Sequence, residues 1–289
     1  MNKQELIDAI RNSGGKQSAL AEVDDLWPRV ELLQNTGRYG ALLSQLAETN
    51  DKSNFLALVL EVNFAYQFES QGSQLAYEVK QDAGKPSTVD FLRQSVTGKR
   101  VYLELRLLQQ RKSITTMIDD QLLKHGIYRL LLGGDDEKRE VERLQGTILA
   151  KVQDGKGRPI KFFSTEPDTL NVVVVDVSDT ILGTIDVYDC LLATYGDPAV
   201  DEVYRRDLFG LFQQDKVEYP KRIHDLAAKY AHIRSRVHGV LFLFREPGSG
   251  ILAYGLQQYT VWNRALVTEQ IAQQVYPDLS AAIPVRCDD

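Results

Sequence analysis

The chain has 289 residues, a net charge of −6 and two cysteines, with 43% hydrophobic and 26% charged residues. That balance belongs to a folded globular protein, and it excludes a globally basic nucleic-acid binder while leaving room for a local basic surface. Cys190 and Cys287 cannot build a disulfide framework or a four-cysteine zinc site, no apolar run approaches a membrane span, and the first residues lack the apolar core of a signal peptide. The expectation is a reducing, cytoplasmic setting with no membrane partner.

Residues 1–53 read as helices, with Leu6, Ile7 and Ile10 at helical spacing and a second run from Leu26 to Leu46 broken near Gly37 and Gly40. Through residue 70 there are 6 basic and 10 acidic residues, so this part is a poor phosphate binder. It is read as a helical N-terminal extension, a surface for a protein partner or for homo-oligomerisation, and 54–289 is read as the main domain. Residues 54–70 form one apolar-rich helix that carries Glu61 in its middle and stops at Gln71-Gly72. Three strands are expected next, over 75–79, 88–92 and 100–108, with turns near Gly84–Pro86 and Thr97-Gly98. The short connections suit an antiparallel meander.

Residues 113–153 are expected to be helical, interrupted at Gly133-Gly134, and 154–169 to be a loop. The β-branched run 171–177 has the look of a strand buried on both faces. A polar helical region is expected over 184–234 and a strand over 239–244. A turn at Pro247–Gly250 leads to a returning strand over 251–256, and a last helix lies near 264–275. The fold class that fits is α/β, a mixed central sheet flanked by helices.

The residues most able to carry chemistry lie between 55 and 112. In the third strand Leu103, Leu105 and Leu107 alternate with Tyr102, Glu104, Arg106 and Leu108, so Glu104 and Arg106 share a face. If the second and third strands pair as a hairpin, Asp90 stands beside Glu104. Two adjacent carboxylates need a counter-charge, either Arg106 or a divalent cation, and hard oxygen ligands suit Mg²⁺ or Mn²⁺. Glu61, an acid in the apolar middle of a helix, also needs a partner unless it lies on a polar stripe.

The order Glu61 in a helix, then Val89-Asp90-Phe91, then Glu104-Leu105-Arg106, resembles the PD-(D/E)xK nuclease superfamily over roughly residues 54–180. An acid-x-basic triplet alone arises about five times by chance at this composition; the ordered combination carries the resemblance. It implies a restriction-endonuclease-like α-β-β-β-α-β core and Mg²⁺- or Mn²⁺-dependent hydrolysis of phosphodiester bonds in DNA. Asp90, Glu104 and Glu61 would hold metal, and Arg106 would act as an electrophilic clamp. The chain departs from the pattern in having Arg106 where the family has lysine. Arginine stays protonated and cannot be a base. The family sometimes relocates this lysine, and Lys80 and Lys112 are the candidates along the sequence. The alternative is a catalytically inactive member of the fold that binds nucleic acid or a protein partner.

Two stretches, 98–112 and 205–236, each have a local charge of +4 and contain tyrosines, as a phosphate-tracking surface would. Glu78-Val79-Lys80 is a competing acid-x-lysine triplet. Asp176, Ser178 and Asp179 end an apolar strand, a place favoured by ligands in α/β sheets as well as by helix caps. The four histidines show no zinc-site spacing, and neither GxSxG nor GxGxxG occurs.

Overall fold

The computed structural model describes residues 1–14, 17–82, 84–110, 112–129, 134–163, 166–178 and 185–286. Asp179 and Cys287, both singled out above, lie outside the described residues, as do Gly133 and the side chain of Lys112.

Four helices, α1 (Lys3–Asn12), α2 (Gln17–Ala21), α3 (Val23–Thr36) and α4 (Gly40–Glu48), precede the long α5 (Lys52–Ser70). An Asn2–Glu5 capping box starts α1, and Gly37, in the left-handed region at φ +72°, ends α3. The strands are β1 (Leu75–Val79), β2 (Val89–Gln94), β3 (Arg100–Leu107), β4 (Thr169–Asp176), β5 (Gly239–Arg245) and β6 (Leu256–Trp262). Between β3 and β4 lie α6 (Lys112–His125) and α7 (Gly134–Val152). Between β4 and β5 lie α8 (Val187–Tyr195), α9 (Lys221–Lys229) and α10 (Ala231–Arg236), and α11 (Glu269–Ala282) closes the chain.

The six strands make one mixed sheet in the order of the sequence. β1–β2, β2–β3 and β5–β6 are antiparallel, whereas β3–β4 and β4–β5 are parallel. Each parallel pair is joined by helices, as a crossover requires. All eight residues of β4 are buried, which explains its unbroken apolar run.

One face of the sheet, through Leu103, Leu105, Val172, Val174 and Leu241, packs on α5 and on the N-terminal helices in a continuous hydrophobic cluster. The other, through Tyr102, Val173, Val175 and Phe242, packs on α7, α8 and α10. Burying both faces removes several thousand Å² of apolar surface from water, on the order of tens of kcal/mol before chain entropy is subtracted. A buried bidentate pair, Arg93 to Asp278 at 2.7 and 2.8 Å, ties β2 to α11.

Three expectations differ from the structure. The segment 251–256 is not a strand; the returning strand is β6, beginning at Leu256. Its backbone is held by side chains instead: Leu252 N–H donates to Glu22, Asn63 donates to Leu252 C=O, and Arg29 donates to Tyr254 C=O. The last helix runs from Glu269 to Ala282 rather than 264–275, because Thr268 caps it and Pro277 is carried within it. The missing N–H at Pro277 is tolerated because Leu279 and Ala282 beyond it are buried in the core. Finally, the described residues of 184–234 are helical only in α8, α9, α10 and two single-turn 3₁₀ helices, with turns and irregular chain over 205–220.

Candidate functional site

The β2–β3 ladder ends at the pair Phe91–Leu103. The next residues along, Asp90 and Glu104, do not continue it. The Asp90 carboxylate Oδ2 accepts the Leu105 N–H at 2.7 Å, taking the place of a backbone carbonyl. On the β1 side Glu78 lies opposite Asp90 with φ +50°, a conformation that a non-glycine residue rarely holds. The edge of the sheet therefore opens at this point, and side chains from both of its faces meet in the opening.

Glu104 is fully buried, with each carboxylate oxygen on an ammonium group: Lys151 Nζ lies 2.8 Å from Oε1 and Lys161 Nζ 2.8 Å from Oε2. Lys151 also stands 3.7 Å from Asp90 Oδ2, so one positive charge bridges both carboxylates. Lys151 comes from the last turn of α7, on the same stripe as the buried Leu144 and Ile148. Lys161 is delivered by the turn after α7, where Ile160 N–H returns to Val152 C=O at 2.9 Å. Lys161 also donates to Thr88 C=O, its own carbonyl lies 3.0 Å from His232 Nε2, and the neighbouring Phe162 is buried at φ +56°.

Glu61 reaches the opening from α5. Tyr77 O–H donates to its Oε2 at 2.8 Å. Burial, and after it the charge of Asp90, pushes its pKa up to about 8, against the pull of Tyr77 and Lys151. Burial and then Asp90 also push Glu104 up, with Lys151 and Lys161 opposing. Burial disfavours the charged form of Lys151, but Asp90 and Glu104 outweigh it and raise its pKa. Lys151 is therefore a permanent charge at neutral pH and not a base.

A cavity of about 80 Å³ runs into the opening between α5 and β3, lined among others by Ser53, Ala57, Glu61, Arg106, Gln109 and Lys151. Arg106 is exposed at its mouth, and its side chain makes no hydrogen bond or ion pair among the described residues. The structure thus gathers Glu61, Asp90 and Glu104 and leaves Arg106 outside their ion pairs. The counter-charge to the acids is supplied by Lys151 and Lys161, neither of which the sequence reading named. Lys80, the other relocated candidate described, is exposed just past β1. The spacing of Leu144, Ile148 and Lys151, which sets a lysine on a core-facing stripe, was the available signal for Lys151; Lys161, in a loop, offered none.

The basic stretch 98–112 is less open than its charge suggests. Lys99 pairs with Asp168 at 2.8 Å, and Arg100 pairs with Glu166. Asp176, at the end of β4, is fully buried; its Oδ1 accepts Ser178 N–H at 2.8 Å and Arg245 lies 3.6 Å from its Oδ2. Cys190 is buried in α8 as a core residue.

A scan against protein-family models and searches of curated proteins and of solved structures return no match to this chain. No helix among the described residues is long and apolar enough to cross a membrane. Among the same residues, no three His, Cys, Asp or Glu side chains are drawn together tightly enough to ligate a metal by themselves. The chemistry of the donors nevertheless suits a hard divalent cation: the acids offer oxygen donors, the charge of Asp90 raises the pKa of both Glu61 and Glu104, and the Lys151 ammonium occupies a cation position between Asp90 and Glu104.

Proposed function

We propose that this protein is a metal-dependent nuclease of the PD-(D/E)xK type, with a restriction-endonuclease-like core formed by α5, β1–β3, α7 and β4, acting on DNA. The observation that carries the reading is the ammonium of Lys151 touching Asp90 and Glu104 at once, in the opening that Glu61 also enters. Asp90 and Glu104, with Glu61, would hold Mg²⁺ or Mn²⁺. When bound, such an ion lowers the pKa of its water and screens the scissile phosphate.

The chain's own residues supply the remainder. Lys151, protonated at neutral pH, places positive charge beside the acids where a non-bridging phosphate oxygen would lie. It takes the electrostatic part of the motif lysine that Arg106 cannot match by position. Arg106, exposed at the cavity mouth, would neutralise the incoming backbone. Glu61 holds a proton at neutral pH and would give it up to a cation, becoming an ionised oxygen donor within the cavity.

A second reading, a non-catalytic nucleic-acid-binding member of the same fold, is favoured by one feature: both oxygens of Glu104 are already closed by lysines. Incubating the chain with linear and circular DNA in Mn²⁺ or Mg²⁺ separates the two. Cleavage that disappears in Asp90→Ala and Glu104→Ala and falls at least about a hundredfold in Lys151→Ala supports the nuclease. DNA binding without cleavage by the wild-type chain supports the second reading and rejects the first.

A further inference from the structure

A second recess lies away from the acids, between the end of α8, the irregular chain near 212–219 and the turn after β6. It encloses about 440 Å³, within the roughly 300–1,000 Å³ typical of small-molecule sites. Its lining includes the half-buried Tyr195 and Tyr219, backed by the buried Phe212, with the exposed Lys216 and Arg264 beside them, and no carboxylate lines it among the described residues.

The walls are locked by hydrogen bonds. Tyr195 O–H donates to Trp262 C=O at 2.9 Å and accepts Arg264 N–H at 2.8 Å, while Tyr219 O–H accepts from Gln213 at 3.2 Å. Gly196 and Gly210 lie against each other beneath, so closely that an added Cβ on Gly210 would come 2.4 Å from Gly196 N. The cations, by contrast, are open. Arg264 sits 5.0 Å from the Tyr195 ring centroid and Lys216 5.9 Å from that of Tyr219, and neither side chain forms an ion pair or hydrogen bond among the described residues. Asp215, the acid immediately before Lys216, is turned to His224 at 2.9 Å.

We infer that this recess binds a flat heteroaromatic ring carrying a phosphate, that is, a nucleoside monophosphate unit. Rigid aromatic walls receive a ring face, and two unpaired cations beside them receive its anion. The same unit can arrive as a free nucleotide or as the terminal, unstacked residue of a single strand, and the chemistry of recognition is shared. The inference stands on the recess alone and is independent of the carboxylate opening.

The test uses the full chain in EDTA, so that no divalent-ion chemistry intervenes, titrated calorimetrically with AMP, with adenosine and with a 5′-phosphorylated oligo-dT. The expected result is saturable binding of AMP or of the oligonucleotide, weakened about tenfold or more in Arg264→Ala and in Lys216→Ala. Adenosine should bind more weakly than AMP. Asp90→Asn should leave the binding unchanged, which separates this site from the proposed nuclease centre. Binding of AMP identifies a free-nucleotide site, and binding of the oligonucleotide alone identifies a strand-end site. The proposal is overturned if neither AMP nor the oligonucleotide binds, if AMP binds and adenosine binds as tightly, or if the rim variants bind as the wild type does. Both rim residues are exposed, so their variants keep the fold, as circular dichroism would verify.

Discussion

Replacing Glu61 by glutamine should make stability less sensitive to pH, and the size of the change follows from the opening at β2–β3. Folding moves this carboxyl from an ordinary 4.5 to about 8, through burial and then the charge of Asp90. Between those pH values the folded chain holds a proton that the unfolded chain has released. Stability is therefore present in full below 4.5 and declines as pH rises through about 8. At about 1.4 kcal/mol per pH unit, the interval sets a ceiling of roughly 5 kcal/mol. Water entering the cavity beside an ionised Glu61 recovers part of this, so the expected effect is about half, ~2–3 kcal/mol. The glutamine keeps the shape and can still accept the Tyr77 hydroxyl, but it has no charge to bury. Urea denaturation of both proteins at pH 4.5 and pH 8.5 reads the difference directly. The variant should gain on the wild type by ~2–3 kcal/mol at the higher pH relative to the lower. A stability difference equal at both pH values, within about 0.5 kcal/mol, would show that Glu61 is not protonated in the folded chain and would refute the reasoning.

The same carboxyl should report ion uptake: at pH 7 it is about nine-tenths protonated, so Mn²⁺ binding should release close to one proton, measured by calorimetry in buffers of different ionisation enthalpy, and Glu61→Gln should abolish the release. If the chain cleaves DNA at subsaturating Mn²⁺, the rate should climb as pH rises from 6 toward 8, because the ion then competes less with the Glu61 proton, and the climb should flatten at saturating Mn²⁺; a flat profile at both concentrations assigns the proton to another group. Lys161→Met leaves the buried Glu104 with one ammonium and should cost ~2–4 kcal/mol in a urea titration; a loss under about 0.5 kcal/mol would mean that Lys161 does not neutralise Glu104. Gly196→Ala, at φ +71° with its Cβ 2.6 Å from Leu208 C=O, should cost ~2–3 kcal/mol, and an unchanged melting temperature would rule out the close packing of Gly196 on Gly210.

Local periodicity determined much of the scaffold. The alternation through Leu103, Leu105 and Leu107 and the apolar run of β4 describe what each strand buries, and that burial is a property of neighbours along the chain. Glu61 stood out because an acid amid Phe, Leu and Val is a local anomaly, and Asp90 and Glu104 because paired antiparallel strands bring them level. The partners of those acids were decided by the tertiary structure. Lys151 and Lys161 lie 47 and 57 residues beyond Glu104, and only the packing of α7 on the sheet and the return of the following turn bring their ammonium groups to its oxygens. Long-range electrostatics of this kind leaves almost no mark on a sequence, because a lysine reads the same whether it meets water or a buried carboxylate. The segment 251–256 shows the same limit: its residues suit a strand, but Glu22, Asn63 and Arg29, distant in sequence, take its backbone groups.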